Sequence, residues 1–213
     1  MTPRERFNNL PVDVRELVLD KHRDWNVSHD WWDSVEDLFK EDMDNLGIMV
    51  GRMYFSGFWS QGDGACFEGY VANWDLFLRS IGITDAALIK LASDNWSCSV
   101  EHSGHYYHEN CTRFDFALVM PENADDETFA GLYSPYPDDS LQTTVWMVNL
   151  AQHDSDFEDL CRDAFRDHMR DLYKRLEEEY DALTSDEAIL DSLDANDQLE
   201  EAINDAIMES EDA

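Results

Sequence analysis

Apolar positions along the chain change period several times, and each change predicts an element. After Pro11, residues 12–24 place Val14, Leu17 and Val18 on one helical face. A second helix is predicted behind Ser28 as its cap. It carries Trp31, Trp32, Val35, Leu38, Phe39, Met43 and Leu46 at helical spacing and stops at Gly47. Residues 48–59 and 65–71 read as two strands joined by a turn at Gln61, Gly62, Asp63 and Gly64. A short helix runs from Asn73 or Trp74 to Ser80 and stops near Gly82, and Thr84 caps another over 85–93. Further strands fall within 96–119, with a turn near 109–112. Pro121, Pro135 and Pro137 mark 121–140 as loop. Over 141–151, Thr143, Thr144 and Val145 favour a strand, while Leu141, Val145 and Val148 fit a helical stripe. Helix is the reading taken.

The remainder reads as helix. Ser155 with Glu158, and Thr184 with Glu187, have the spacing of capping boxes, in which side chain and backbone satisfy each other at a helix start. They predict helices at 156–182 and 185–194. Asp197 with Glu200 predicts a last one at 198–209. The expected fold is α+β: helices packed around a small antiparallel sheet, followed by an acidic helical C-terminal region. The expected division is a core domain over 1–153 and an extension over 154–213, packed on the core or projecting from it.

Charge changes this picture. The 213 residues hold 48 Asp and Glu against 15 Lys and Arg, a net charge of −33. Such a surface repels DNA, RNA and anionic membranes, so direct nucleic-acid binding is excluded as an expectation. Acidity of this degree usually means disorder, but 43% hydrophobic content with seven Trp, eight Tyr and eleven Phe supplies a core. No apolar run approaches the length of a membrane span, and the N-terminus lacks the apolar stretch of a signal peptide, so a cytoplasmic location is expected. Cys66, Cys98, Cys111 and Cys161 form no C-x-x-C pair and are expected reduced and mostly buried.

The acid is distributed unevenly. Over 156–182, Asp159, Asp163, Asp167 and Asp171 alternate with Arg162, Arg166, Arg170 and Lys174, each acid three residues before a base, as in an ordinary solvated helix face. From residue 176 onward come 15 acids in 38 residues and no Lys or Arg. Asp197, Glu201, Asp205 and Glu209 form a self-repelling row beside an apolar row of Leu199, Ile203 and Ile207. A wholly helical tail would span about 57 Å, or one charge per roughly 3.8 Å, against one per ~3.4 Å along a DNA strand. The candidate partner-binding surface is therefore Asp186, Glu187, Asp191, Asp194, Asp197, Glu200, Glu201, Asp205 and Glu209. The competing reading is a tail that only solubilises.

Tyr54, Phe55, Phe58, Trp59, Phe67 and Tyr70 crowd into one glycine-punctuated run. That run, MYFSGFWSQGDGACFEG, together with DWWDSVEDLFKEDM upstream and YDALTSDEAI downstream, resembles a group of uncharacterised proteins of tailed bacteriophages and prophages, over about residues 12–196. The resemblance implies a phage origin, expression in a bacterial cytoplasm and a role against a host system, and brings no catalytic residues. Ser56, Ser60, Gln61 and Asp63 read either as a polar pocket or as turn chemistry between aromatic core flanks. The turn is the reading taken, with Phe58, Trp59 and Phe67 supporting the core or hairpin.

His102, His105, His108 and Cys111 recur every third residue, with Cys98 upstream. On a strand the middle histidine faces away from the other two, so tetrahedral convergence is not expected and neither metal nor cofactor is assigned. A Cys111–His108 pair lacks an orienting third residue, so no catalytic residue is assigned. The leading expectation is an inhibitory DNA mimic whose partner is a host protein with a basic nucleic-acid-binding cleft. The alternatives are an acidic adaptor or assembly protein and, behind it, a small hydrolase. The sequence leaves the oligomeric state open, a homodimer included.

Overall fold

A computed structural model describes residues 1–118 and 154–212. The loop expected at 121–140 and the helix expected at 141–151 lie outside them. The described elements are α1 (Pro3–Asn8), α2 (Val12–Lys21), a 3-10 turn (Trp25–Val27), α3 (Asp33–Asn45), β1 (Ile48–Phe55), β2 (Ala65–Val71), α4 (Trp74–Ser80), α5 (Ala86–Asn95), β3 (Trp96–His102), β4 (Thr112–Leu118), α6 (Asp154–Leu183), α7 (Asp186–Ala195) and α8 (Leu199–Asp212). The four strands form one antiparallel sheet in the order β1-β2-β3-β4, so the fold is α+β as the alternation of periods requires.

The contacts group the chain differently from a boundary at 153/154. One compact unit joins Met1–Val35 to Arg175–Ala213, and the other is Glu36–Lys174. The reason is visible in the first unit's core. Phe7 of α1 and Val14, Val18 and Leu19 of α2 are buried with Ile189, Leu190 and Leu193 of α7 and Leu199, Ala202, Ile203 and Ala206 of α8. Each helix has one apolar stripe, and pairing the chain's two ends covers both stripes. The N-terminal segment also satisfies the last carbonyls of α6, which have no intrahelical donor. Asn26 Nδ2 donates to the Leu183 carbonyl at 2.9 Å, and Arg23 Nη1 to that of Thr184 at 3.0 Å. Trp31 meets Tyr180 edge-on at 5.6 Å.

In the second unit, α6 lays Phe165 at the centre of an aromatic cluster. Its ring lies 5.8 Å from Phe67 of β2, 5.7 Å from Phe77 of α4 and 5.7 Å from Phe114 of β4. Phe39 of α3 reaches Phe67 at 5.7 Å. Phe39, Met43, Phe67, Phe77, Phe165, Met169 and Leu172 are fully buried. At Gly47, φ is +81°, and an added Cβ would overlap the Asn73 carbonyl oxygen. The Gly47 carbonyl accepts from Ala72 N–H at 2.8 Å and Asn73 N–H at 3.0 Å, so this glycine both ends α3 and ties it to the start of α4.

Several local expectations are corrected. A helix α1, not expected, is set by a capping box in which Thr2 Oγ1 accepts from Glu5 N–H at 3.1 Å and Glu5 Oε2 from Thr2 N–H at 2.8 Å. Ser28 closes the 3-10 turn, α3 begins only at Asp33, and Leu38 is 62% exposed. Asp85, not Thr84, accepts from Leu88 N–H (2.9 Å) at the start of α5. Helix α6 begins at Asp154, so Ser155 lies within it. Ser185, not Thr184, caps α7 by accepting from Ala188 N–H. Thr184 instead donates its hydroxyl to the Tyr180 carbonyl at 2.8 Å. Asp197 starts nothing. It sits at φ +56° behind α7, where Asp197 N–H reaches the Asp194 carbonyl (3.1 Å) and Gln198 N–H that of Leu193 (2.8 Å), the paired bonds of a helix C-cap.

Candidate functional site

Residues 176–213 are not one rod. Breaks at Ser185 and at Asn196–Gln198 divide them among the end of α6, α7 and α8, so the 57 Å line of charge does not form. The nine candidate carboxylates are all exposed, but they fall into two sets. Five are held by cations from the chain's other end. Asp186 pairs with Arg23 at 2.7 Å, Glu187 with Arg4 at 2.5 Å, Asp191 with Arg4 at 3.2 Å, Glu200 with Arg6, and Glu209 with Lys21. Arg6 Nη2 also donates to Asn204 Oδ1 at 2.8 Å. The bases absent from the sequence after Arg175 are thus supplied from 163 to 194 residues away. The Asp186 carboxylate and the Asp20 carboxylate hold the Arg23 guanidinium above its ordinary range, against the effect of burial.

The other four, Asp194, Asp197, Glu201 and Asp205, have no ion pair among the described residues. They lie at the end of α7, on the cap residue and along α8, where four residues rise by about 6 Å. Their neighbours Leu199, Ala202, Ile203 and Ala206 are buried, so the same helix face that fills the core fixes which way the acids point. Of the four acid–base steps expected on α6, Arg162 pairs with Asp159 and Arg170 with Asp167, while Asp163 and Arg166 form no ion pair among the described residues. Arg162 also reaches Glu158 at 2.9 Å.

The aromatic run divides as well. Phe67 is fully buried and Phe58 half-buried, packed 5.6 Å from Tyr173. Trp59 is 74% exposed, so of the expected support of the core or hairpin the core part is corrected. The cause is the loop 56–64. Asp63 Oδ2 accepts from Trp59 N–H at 3.0 Å and Ser60 N–H at 2.6 Å, and Ser56 Oγ from Gly64 N–H at 3.3 Å. These polar groups are spent on the turn, in accord with the turn reading, and the backbone they fix directs the indole outward.

The histidines go separate ways. His102 lies against the rings of Tyr54 (4.8 Å) and Tyr107 (5.3 Å). His105 is exposed beside Tyr106, while His108 Nδ1 stands 2.9 Å from Glu109 Oε2. Glu109 also lies 3.5 Å from Arg170. Among the described residues, no three of His, Cys, Asp or Glu are placed to hold a metal ion together. The four cysteines are free thiols. Burial pushes Cys66 and Cys98 up to about 12, and raises Cys161 also. That is the opposite of nucleophile activation. Among the described residues, no helix is long and apolar enough to cross a membrane.

No curated protein and no solved structure matches the chain. A family model described as a domain of unknown function, DUF8835, matches residues 31–186. The match contains the whole aromatic run and ends at the first turn of α7, so α1, α2 and α8 lie beyond it. With well over half of its length inside that match, the chain belongs to the DUF8835 family.

Proposed function

We propose that this protein is a phage-encoded acidic inhibitor that acts as a DNA mimic, occupying the basic nucleic-acid-binding cleft of a host protein such as a defence factor. The observation that carries the reading is the set Asp194, Asp197, Glu201 and Asp205: exposed, without an ion pair among the described residues, and seated on helices whose opposite face is core. A solvating tail has no need of ordered helices. A mimic does, because carboxylates already held in place lose little freedom on binding. Meeting a basic cleft also releases the cleft's counterions, as DNA itself does. The net charge of −33 steers the encounter. Pairing Asp186, Glu187, Asp191, Glu200 and Glu209 internally gives them a different task, which is to hold the presenting helices.

The test is a competition assay on a partner captured from host lysate. The protein should displace duplex DNA from that partner while binding no DNA itself. Combined Asp194→Asn, Asp197→Asn, Glu201→Gln and Asp205→Asn should weaken binding on the order of tenfold to a hundredfold. Affinity should fall as salt shortens the screening distance from ~10 Å at 0.1 M to ~3 Å at 1 M. A partner that holds this protein and DNA together, or that binds the fourfold variant equally well, would identify an acidic adaptor instead.

A further inference from the structure

A second surface lies wholly within the unit Glu36–Lys174. Loops 56–64 and 103–111 touch there. Tyr106 lies over Gly62, where a Cβ would stand 3.3 Å from its ring, and the Tyr107 carbonyl and His108 lie over Gly64. On this pair of loops Trp59 is 74% exposed, Tyr106 56% and Tyr107 37%. Single exposed apolar side chains are ordinary, but three large aromatics on two abutting loops are not. Nor are the loops slack. Asp63 holds the Trp59 and Ser60 amides, Tyr173 Oη donates to the Gly57 carbonyl at 3.2 Å, and the Tyr107 ring stacks on Tyr54 at 5.4 Å. Rigid aromatics that have little freedom left to lose are the usual anchors of protein interfaces.

Charge selects the occupant. The unit carries 26 acids and nine bases, so its field repels nucleic acid and acidic proteins and draws cations. Acids on and beside the loops are engaged: Asp63 accepts from the Trp59 and Ser60 amides, Glu68 accepts from Tyr54 Oη, Glu101 pairs with Arg113, and Glu109 with Arg170. An incoming cation therefore finds ring faces rather than open carboxylates, and ring faces attract guanidinium and ammonium groups. We propose that loops 56–64 and 103–111 form a docking platform for an arginine- or lysine-bearing segment of a partner protein, with Trp59 as its anchor. These loops and the carboxylates of α7 and α8 belong to different units, and the inference does not require mimicry.

The experiment uses the full chain labelled with 15N and a probe peptide of alternating arginine and glycine, beside the same peptide with citrulline replacing arginine. The arginine peptide should shift the Trp59 indole resonance. Trp59→Ala should weaken its binding about fivefold without changing the melting temperature, and Tyr106→Ala should weaken it less. The citrulline peptide should leave the indole unmoved. A Trp59 resonance that stays still as arginine peptide is added, or an undiminished affinity in Trp59→Ala, overturns the platform. Equal shifts from the citrulline peptide overturn the cationic occupant and point to a neutral one such as a sugar.

Discussion

At the scale of single residues, exposure and backbone angle decide what a substitution does. Phe67 and Trp59 come from one aromatic run, yet one is fully buried and the other 74% exposed. Phe67→Ala should cost about 3–5 kcal/mol, because the cavity stays open among Phe39, Met53 and Phe165. Trp59→Ala should stay within about 0.5 kcal/mol of the parent. Urea denaturation of the two variants separates them, and equal losses would refute the assignment. Asp197 offers the opposite sign. An L-residue at φ +56° is strained, and glycine at a C-cap is not. Asp197→Gly should raise stability by roughly 0.5–1 kcal/mol, read as a higher midpoint in the same titration. A lower midpoint would mean that the Asp197 side chain supports the cap.

At the scale of elements, the chain's two ends hold each other. Buried Phe7, Val14 and Val18 face Ile189, Leu193 and Ile203, and the cations Arg4, Arg6, Lys21 and Arg23 surround that contact. Exposed ion pairs are worth about 0.2–1 kcal/mol each, so replacing all four cations by Gln should cost roughly 1–3 kcal/mol at low salt. The loss should shrink in 1 M salt, where screening also relieves repulsion among the freed acids. Hydrogen exchange of the α7 and α8 amides is the readout. Protection that survives the fourfold change at low salt would assign the holding to the apolar contact alone.

At the scale of the whole molecule, the thiols set an alkaline limit. The sign follows from which state ionises first. In the unfolded chain thiols ionise from about 9.0, while in the folded protein Cys66 and Cys98 hold their protons to about 12 and Cys161 is raised as well. Their contribution is therefore complete below pH 9 and is lost progressively as pH rises toward 12. Denaturation midpoints measured between pH 8 and 11 should fall, and replacing the three cysteines with Ala should flatten the fall. The same burial predicts that a thiol reagent modifies these three only as the protein unfolds.

What the sequence determined by itself was whatever depends on neighbours along the chain. Alternation and helical spacing identified the four strands and most helices, Gly47 marked the end of α3, and Asn73 the start of α4. The i, i+3 acid–base rows of α6 were legible for the same reason. The cap at Thr2 is just as local, its partner Glu5 standing three residues on, yet the short helix it starts was not among the expected elements. Only the tertiary structure decided which of the nine candidate carboxylates are paired. The cations that pair five of them lie some 160 to 190 positions upstream, and no periodicity relates Arg4 to Glu187. Direction of side chains was hidden likewise. A tryptophan between a half-exposed strand and a polar turn satisfies the same pattern whether it faces in or out, and it is the Asp63 carboxylate, held by the Trp59 and Ser60 amides, that turns Trp59 outward.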